Sequence, residues 1–88
     1  MGNIILGISY FGPEVEIENN CYILNGVSVQ HNSRIGEHTY LASGVLIGAF
    51  VNVGNKVRFE IGSGAKLRIK VSDPAIFSAG VILAQDIN

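Results

Sequence analysis

The chain has 88 residues, 48% of them hydrophobic and 15% charged, with a formal net charge of −1. That much apolar material excludes a disordered segment, and the charge offers no basic surface for nucleic acid. The single cysteine, Cys21, excludes an internal disulfide and lacks any Cys/His spacing of a metal site, so a reducing compartment is expected.

No apolar run approaches the roughly 18 residues of a membrane span, and the N-terminus lacks the basic stretch of a secretory signal. The Met1-Gly2 opening has Leu6 where myristoylation requires Ser or Thr. A soluble, cytoplasmic chain without a membrane partner is expected.

Eleven glycines lie scattered among Val, Ile and Leu, the mark of many short strands, and a fixed period organises them. Starting at Ile5 and stepping by six, the first coil carries Ile5, Phe11 and Ile17 and the second Ile23, Val29 and Ile35. The third carries Leu41, Ile47 and Val53, the fourth Phe59, Ala65 and Val71, and the last, incomplete coil Phe77 and Leu83. All fourteen residues are apolar. Four residues after each comes a second column that is small or β-branched throughout, from Ser9, Val15 and Cys21 through Val27, Ser33 and Thr39 to Val81 and Ile87.

A helix cannot produce this pattern, because a step of six residues rotates by about 240° and scatters the apolar positions over three faces. A coil can, if each hexad supplies one short strand and one turn and three hexads close a triangle. The glycines report the same 18-residue turn: Gly26, Gly44, Gly62 and Gly80 form one corner ladder, where positive φ is needed. Asn20, Asn32 and His38 are expected at other corners, and Cys21 is read as a buried structural thiol. The fold class is therefore all-β, a left-handed parallel β-helix of about five triangular coils, with residues 1–88 as one domain and no loop insertion. A domain this small buries a reduced share of its surface, so its flat outer faces favour an oligomer.

The stretch from Ile17-Glu18-Asn19-Asn20 to Gly44, with Val27-Ser28-Val29-Gln30-His31-Asn32-Ser33-Arg34-Ile35-Gly36-Glu37 at its centre, resembles a known family. It is similar to the β-helix domain of hexapeptide-repeat sugar O-/N-acyltransferases of the sialic acid O-acetyltransferase and bacillosamine N-acetyltransferase type. The likeness continues without gaps to Phe77-Ser78-Ala79-Gly80-Val81-Ile82 and Asp86-Ile87. It implies an acetyl-CoA-dependent acetyltransferase acting on an amine or hydroxyl of a sugar or nucleotide-linked sugar, without a metal, built as a homotrimer with sites between neighbouring prisms. It also implies that the nucleotide-sugar-binding α/β domain such proteins carry ahead of the helix is absent here, since Met1 stands almost at the first coil.

Acyl transfer from a thioester needs a base for the attacking group and a donor for the carbonyl oxygen. By the resemblance His31 is the catalytic base, available as neutral imidazole near pH 7. One coil on, Ala49 offers a backbone N–H to the acetyl carbonyl, and Gly48 leaves room for the pantetheine arm of acetyl-CoA. Asn32 replaces the acidic residue that follows the histidine in the family. Leu24 stands where relatives carry a sugar-contacting Asn, and Tyr40 where they often carry a second histidine; Asn25, beside Leu24, and Tyr40 are the substrate-binding candidates. His38 is read as a corner residue. Two histidines do not provide the three-histidine zinc site of β-helical carbonic anhydrases. Tyr22, Tyr40 and Arg58, spaced by 18, form one outer ladder, read as a cation–π stack or as an adenine or sugar contact. The alternative function is a non-catalytic scaffold or trimerisation module, or a truncated remnant of such an enzyme.

Overall fold

The computed structural model describes residues 2–87, so Met1 and Asn88, at the ends of the 1–88 domain and of the Met1-Gly2 reading, lie outside the described residues. The chain winds as a left-handed β-helix. Its first coil holds β1 (Ile4–Ile5), β2 (Tyr10–Phe11) and β3 (Glu16–Ile17), and its second β4 (Tyr22–Ile23), β5 (Ser28–Val29) and β6 (Arg34–Ile35). The third coil holds β7 (Tyr40–Leu41), β8 (Leu46–Ile47) and β9 (Asn52–Val53). The fourth holds β10 (Val57–Phe59), β11 (Gly64–Ala65) and β12 (Lys70–Val71), and β13 (Ala75–Phe77) and β14 (Ile82–Leu83) follow.

Every third strand stacks on the last, giving three parallel sheets: β1-β4-β7-β10-β13, β2-β5-β8-β11-β14 and β3-β6-β9-β12. The register is the one the sequence period requires, Ile5 opposite Ile23, Phe11 opposite Val29 and Ile17 opposite Ile35. Strand amides donate to the following coil, as from Tyr22 N to Thr39 O at 3.0 Å and from Leu24 N to Leu41 O at 2.9 Å. Corner amides donate to the preceding coil, as from Asn32 N to Pro13 O and from Gly44 N to Asn25 O, both 3.1 Å.

The stepped apolar residues fill the prism. Ile23, Leu41 and Phe59 stack under the first sheet, Val29 and Ile47 under the second, and Ile35 and Val53 under the third, all without solvent exposure. Phe59 meets Phe77 at a centroid distance of 5.0 Å, filling the room left by Ala65 in the same coil. Ile5 points inward in register but stays half exposed, because no described coil covers its outer side.

The polar members of the second column have a role that the word "small" does not convey. Ser33 Oγ donates to Gly48 O at 2.6 Å and accepts from Val51 N at 3.0 Å, so one hydroxyl ties its coil to the next. Thr39 Oγ1 repeats this with Gly54 O at 3.1 Å, and the Cys21 thiol donates to Gly36 O at 3.1 Å. Among the described residues no buried side-chain nitrogen or oxygen lacks a partner.

The glycine ladder takes φ of 77, 76, 69 and 79° at Gly26, Gly44, Gly62 and Gly80, and Asn20, Asn32 and His38 take 60, 62 and 58°. The structure adds Glu14, Phe50, Lys56 and Arg68 to the positive-φ set. Left-handed backbone costs an L-residue about 1–2 kcal/mol, and the tertiary ladder of corner hydrogen bonds overrides that local preference.

Two stability differences follow. Phe59→Ala should lose about 3–5 kcal/mol in urea unfolding, because it empties the centre of the prism. Gly62→Ala should lose only about 1–2 kcal/mol, since an added Cβ there meets nothing within 4 Å and the cost is conformational alone. Burial pushes the Cys21 thiol up from its ordinary value of 9.0. Its contribution to stability should therefore be complete below about pH 9 and decline as the pH rises further, where the unfolded thiol ionises first. Urea unfolding of Cys21→Ala between pH 8 and 10.5 should show a flatter alkaline limb than the parent chain.

Candidate active site

The corner between the second and third sheets carries Pro13-Glu14, His31-Asn32, Ala49-Phe50 and Leu67-Arg68 in successive coils. His31 is exposed there, immediately before the left-handed turn at Asn32. Its backbone sits on Gly12 of the coil beneath, where a Cβ would lie 2.9 Å from His31 N and 3.2 Å from His31 Cα. Glycine at that position allows the coils to close under the histidine.

The imidazole is held by two contacts. Nδ1 lies 3.0 Å from Asn32 Oδ1, and the ring meets Phe50 edge-on, with centroids 5.3 Å apart and planes at 84°. A carboxamide oxygen only accepts, so in this pairing Nδ1 is the donor, and in the neutral ring the lone pair then lies on Nε2. Asn32 thus supplies the hydrogen-bond acceptor, though not the charge, of the acidic residue expected here by resemblance. The guanidinium of Arg68 covers Phe50, 4.7 Å from its centroid. The result is a His31–Phe50–Arg68 column rising through three coils.

Ala49 and Gly48 stand in the coil directly above. Phe50 N donates to His31 O at 3.1 Å and Gly48 N to Ala65 O at 2.9 Å, while Ala49 O accepts from Arg68 N at 3.0 Å. The Ala49 N–H between them has no acceptor among the described residues. A Cβ on Gly48 would lie 2.9 Å from Leu67 N and 3.0 Å from Lys66 C. The glycine is therefore required by the backbone of the next coil, which is a different reason from an open channel for a pantetheine arm.

Asn25 and Tyr40 are not brought to His31 within one chain. Asn25 occupies the corner between the first and second sheets, where its Oδ1 accepts from Ile8 N at 3.0 Å. Tyr40 lies on the outer face of the first sheet, stacked on Tyr22 with centroids 5.9 Å apart and under the Arg58 guanidinium at 4.2 Å. The Tyr22–Tyr40–Arg58 ladder expected from the spacing is thus present. His38 sits at the remaining corner, away from His31. Among the described residues no group of three or more His, Cys, Asp or Glu is placed to hold a metal. No helix of the described residues is long and apolar enough to cross a membrane.

Sequence reasoning passed over Gly12, Phe50 and Arg68. The signal was present, because Phe50 and Arg68 follow Asn32 at 18-residue intervals, but it lay in the corner columns and not in the inward ones.

Residues 14–49 match the bacterial transferase hexapeptide family, described as six repeats. No curated protein matches the chain by sequence. Among solved structures it superposes on a histidine-to-alanine mutant of GDP-perosamine N-acetyltransferase from Caulobacter crescentus, in complex with CoA and GDP-perosamine. The TM-score is 0.65 and the identity 15%, over 96% of this chain and 50% of that one. The acetyltransferase domain of PglB from Neisseria gonorrhoeae gives a TM-score of 0.62 at 13% identity, over 98% of this chain and 48% of that one. PerB from Caulobacter crescentus, with CoA and GDP-perosamine, gives 0.52 at 14% identity, over 96% of this chain and 51% of that one. The chain spans about half the length of these structures. At such identities the superpositions establish architecture alone: the chain is a left-handed β-helix, and residues 14–49 carry the six repeats that the family model matches.

Proposed function

We propose that the chain transfers an acetyl group from acetyl-CoA to an amine or hydroxyl of a nucleotide-linked sugar, with His31 as base, and works in the cytoplasm as a homotrimer. The observation that carries this reading is the Asn32 Oδ1 to His31 Nδ1 pairing, which presents a basic Nε2 at an exposed corner beside the unengaged Ala49 N–H. In the step it would serve, Nε2 takes the proton as the sugar nitrogen or oxygen bonds to the thioester carbon. The Ala49 N–H meets the charge on the carbonyl oxygen. Collapse breaks the carbon–sulfur bond, and the imidazolium returns the proton to the departing thiolate. The proteins in two of the superposed structures bind CoA and GDP-perosamine, which supports this donor and acceptor class.

The trimer is supported by where the apolar surface lies. At the two ends of the glycine corner, Ile8 is 87% exposed with Leu6 beside it in the first coil, and Ile61 and Ile76 are 63 and 75% exposed with Val81 and Ile82 beside them in the last coils. Packing this corner against a neighbour would also let Asn25 and Tyr40 of one copy approach His31 of another, which a single chain does not allow.

A second reading, a non-catalytic β-helical scaffold, is favoured by that same separation of Asn25 and Tyr40 from His31. Titration with acetyl-CoA discriminates the two, saturable heat being expected for the enzyme and none for a scaffold. On the first reading His31→Ala should lower acetyl transfer to amino-sugar nucleotides by about 10²–10⁴-fold. Asn32→Ala should lower it less, and Asn32→Asp should retain it; undiminished transfer by His31→Ala would refute the role of the base. In sedimentation the parent chain should run as a trimer and Ile61→Glu as a folded monomer, and a monomeric parent would refute the assembly.

A further inference from the structure

The outer face of the third sheet differs from the other two. Its outward row reads Glu16, Arg34, Asn52 and Lys70 in successive coils, with Arg34 opposite Asn52 and Asn52 opposite Lys70, and it ends on Asp86, whose Oδ1 accepts from Lys70 N at 2.9 Å. The corresponding rows are more apolar: Ile4, Tyr22, Tyr40, Arg58 and Ile76 on the first sheet, and Tyr10, Ser28, Leu46, Gly64 and Ile82 on the second. Beside the polar row a groove of about 310 Å³ opens, lined by Arg34, Asn52, Asn55, Lys70, Ser72 and Asp73.

Glycine makes the groove possible. Gly54 forms part of its lining, and a Cβ there would press on Asp73, 2.8 Å from its Oδ1 and 3.0 Å from its N. On the adjoining coil, a Cβ at Gly36 would lie 2.4 Å from Gly54 O. The floor is thus main chain, and the polar groups stand on either side of it.

The middle of one side is cationic, between Glu16 at one end of the row and Asp86 at the other. Arg34 and Lys70 flank Asn52 two rungs apart, roughly 9–10 Å along the sheet. Lys70 makes no ion pair among the described residues, and Arg34 has only a long, exposed contact of 3.5 Å with Glu18, which leaves most of its donors available. The other side is uncharged or acidic: Ser72, Asp73 and Asn55, with Asn55 Oδ1 already accepting from Glu37 N at 2.8 Å. β12 ends at Val71, and Ser72 and Asp73 follow at the corner, so the basic row and the acceptor groups line the same groove.

A ligand complementary to this groove has an anionic end for the two cations and hydroxyl groups for the acceptors that line the same groove. We infer that the outer groove of the third sheet binds a sugar phosphate, its phosphate over Asn52 between Arg34 and Lys70 and its hydroxyls toward Ser72 and Asp73. The mixed lining selects against a purely anionic ligand, because the Asp73 carboxylate repels a second phosphate where it accepts from a hydroxyl. The groove shares no lining residue with the His31–Phe50–Arg68 column, so the inference stands whether or not the chain transfers acetyl groups.

Calorimetric titration of the full chain with glucose 1-phosphate, glucose and inorganic phosphate tests it. Glucose 1-phosphate should bind saturably, with amide shifts in NMR centred on Gly54 and Ser72. Glucose and phosphate alone should each bind at least about tenfold more weakly. Lys70→Gln and Arg34→Gln, both at outward positions of the sheet, should each weaken the ester by about tenfold, while His31→Ala should leave its affinity unchanged. The inference is overturned if glucose 1-phosphate shows no saturable binding, if inorganic phosphate binds as tightly as the ester, or if the shifts fall on another face. A UDP-sugar binding where glucose 1-phosphate does not would likewise overturn it in favour of a nucleotide site.

Discussion

The hydrogen bond between one coil and the next governs everything else in this chain. Strand amides point to the following coil and corner amides to the preceding one, so each coil is held from both sides by main-chain bonds of about the same length. Such a ladder tolerates no drift in register. A residue gained or lost in any coil would turn every later inward side chain to the outside, which is why the six-residue period runs without interruption. The ladder also explains the corners. A turn that must present its amide to the coil beneath takes left-handed angles whichever residue occupies it, and Phe50, Lys56 and Arg68 adopt them beside the glycines and asparagines.

That rule links the fold to the candidate site. The corner places residues 31, 49 and 67 above one another and residues 32, 50 and 68 beside them. A histidine in this column gains a neighbour from its own turn and another from the turn above. Asn32 does two jobs as a result: its backbone closes the left-handed turn, and its side chain fixes the His31 tautomer. The aromatic ring of Phe50 and the guanidinium of Arg68 then narrow the space in which the imidazole moves. A planar, pre-oriented imidazole would need little further organisation to act as the proposed base, and this geometry arises from stacking alone.

The inward half of the architecture was legible in the sequence, because burial imposes a strict chemical alphabet. Ile23, Leu41 and Phe59 could be assigned to one stack before any coordinates, as could the volume exchange between Ala65 and the phenylalanines. The glycine ladder was legible for the same kind of reason, a steric demand that few residue types meet. What escaped was decided by partners in neighbouring coils. Ser33 and Thr39 read as small residues, but their hydroxyls carry coil-to-coil hydrogen bonds that only the register reveals. Phe50 and Arg68 escaped because local propensity argues against such residues at positive φ, and the ladder outweighs propensity. The polar groove escaped because an exposed row of Arg34, Asn52 and Lys70 looks like ordinary solvated surface until the glycine floor beside it is seen.

The three faces of the prism divide the remaining chemistry. A triangular coil has no interior to offer a ligand, since its core is filled by buried side chains, so any binding must occur on an outer face, at a corner or between copies. The first two faces are rich in exposed apolar groups around the glycine corner, whereas the third is polar and grooved. Assembly and ligand binding therefore compete least if copies meet through the glycine corner and leave the third face to solvent. His31 stands where those two regimes adjoin, at the border of the second and third sheets. A side chain at that border is open to a small molecule from the polar side, and in the proposed assembly a neighbouring copy would wall it from the apolar side. The chain alone orients its imidazole; on the proposed reading, the separation of Asn25 and Tyr40 from it is what a second copy at the apolar corner would close.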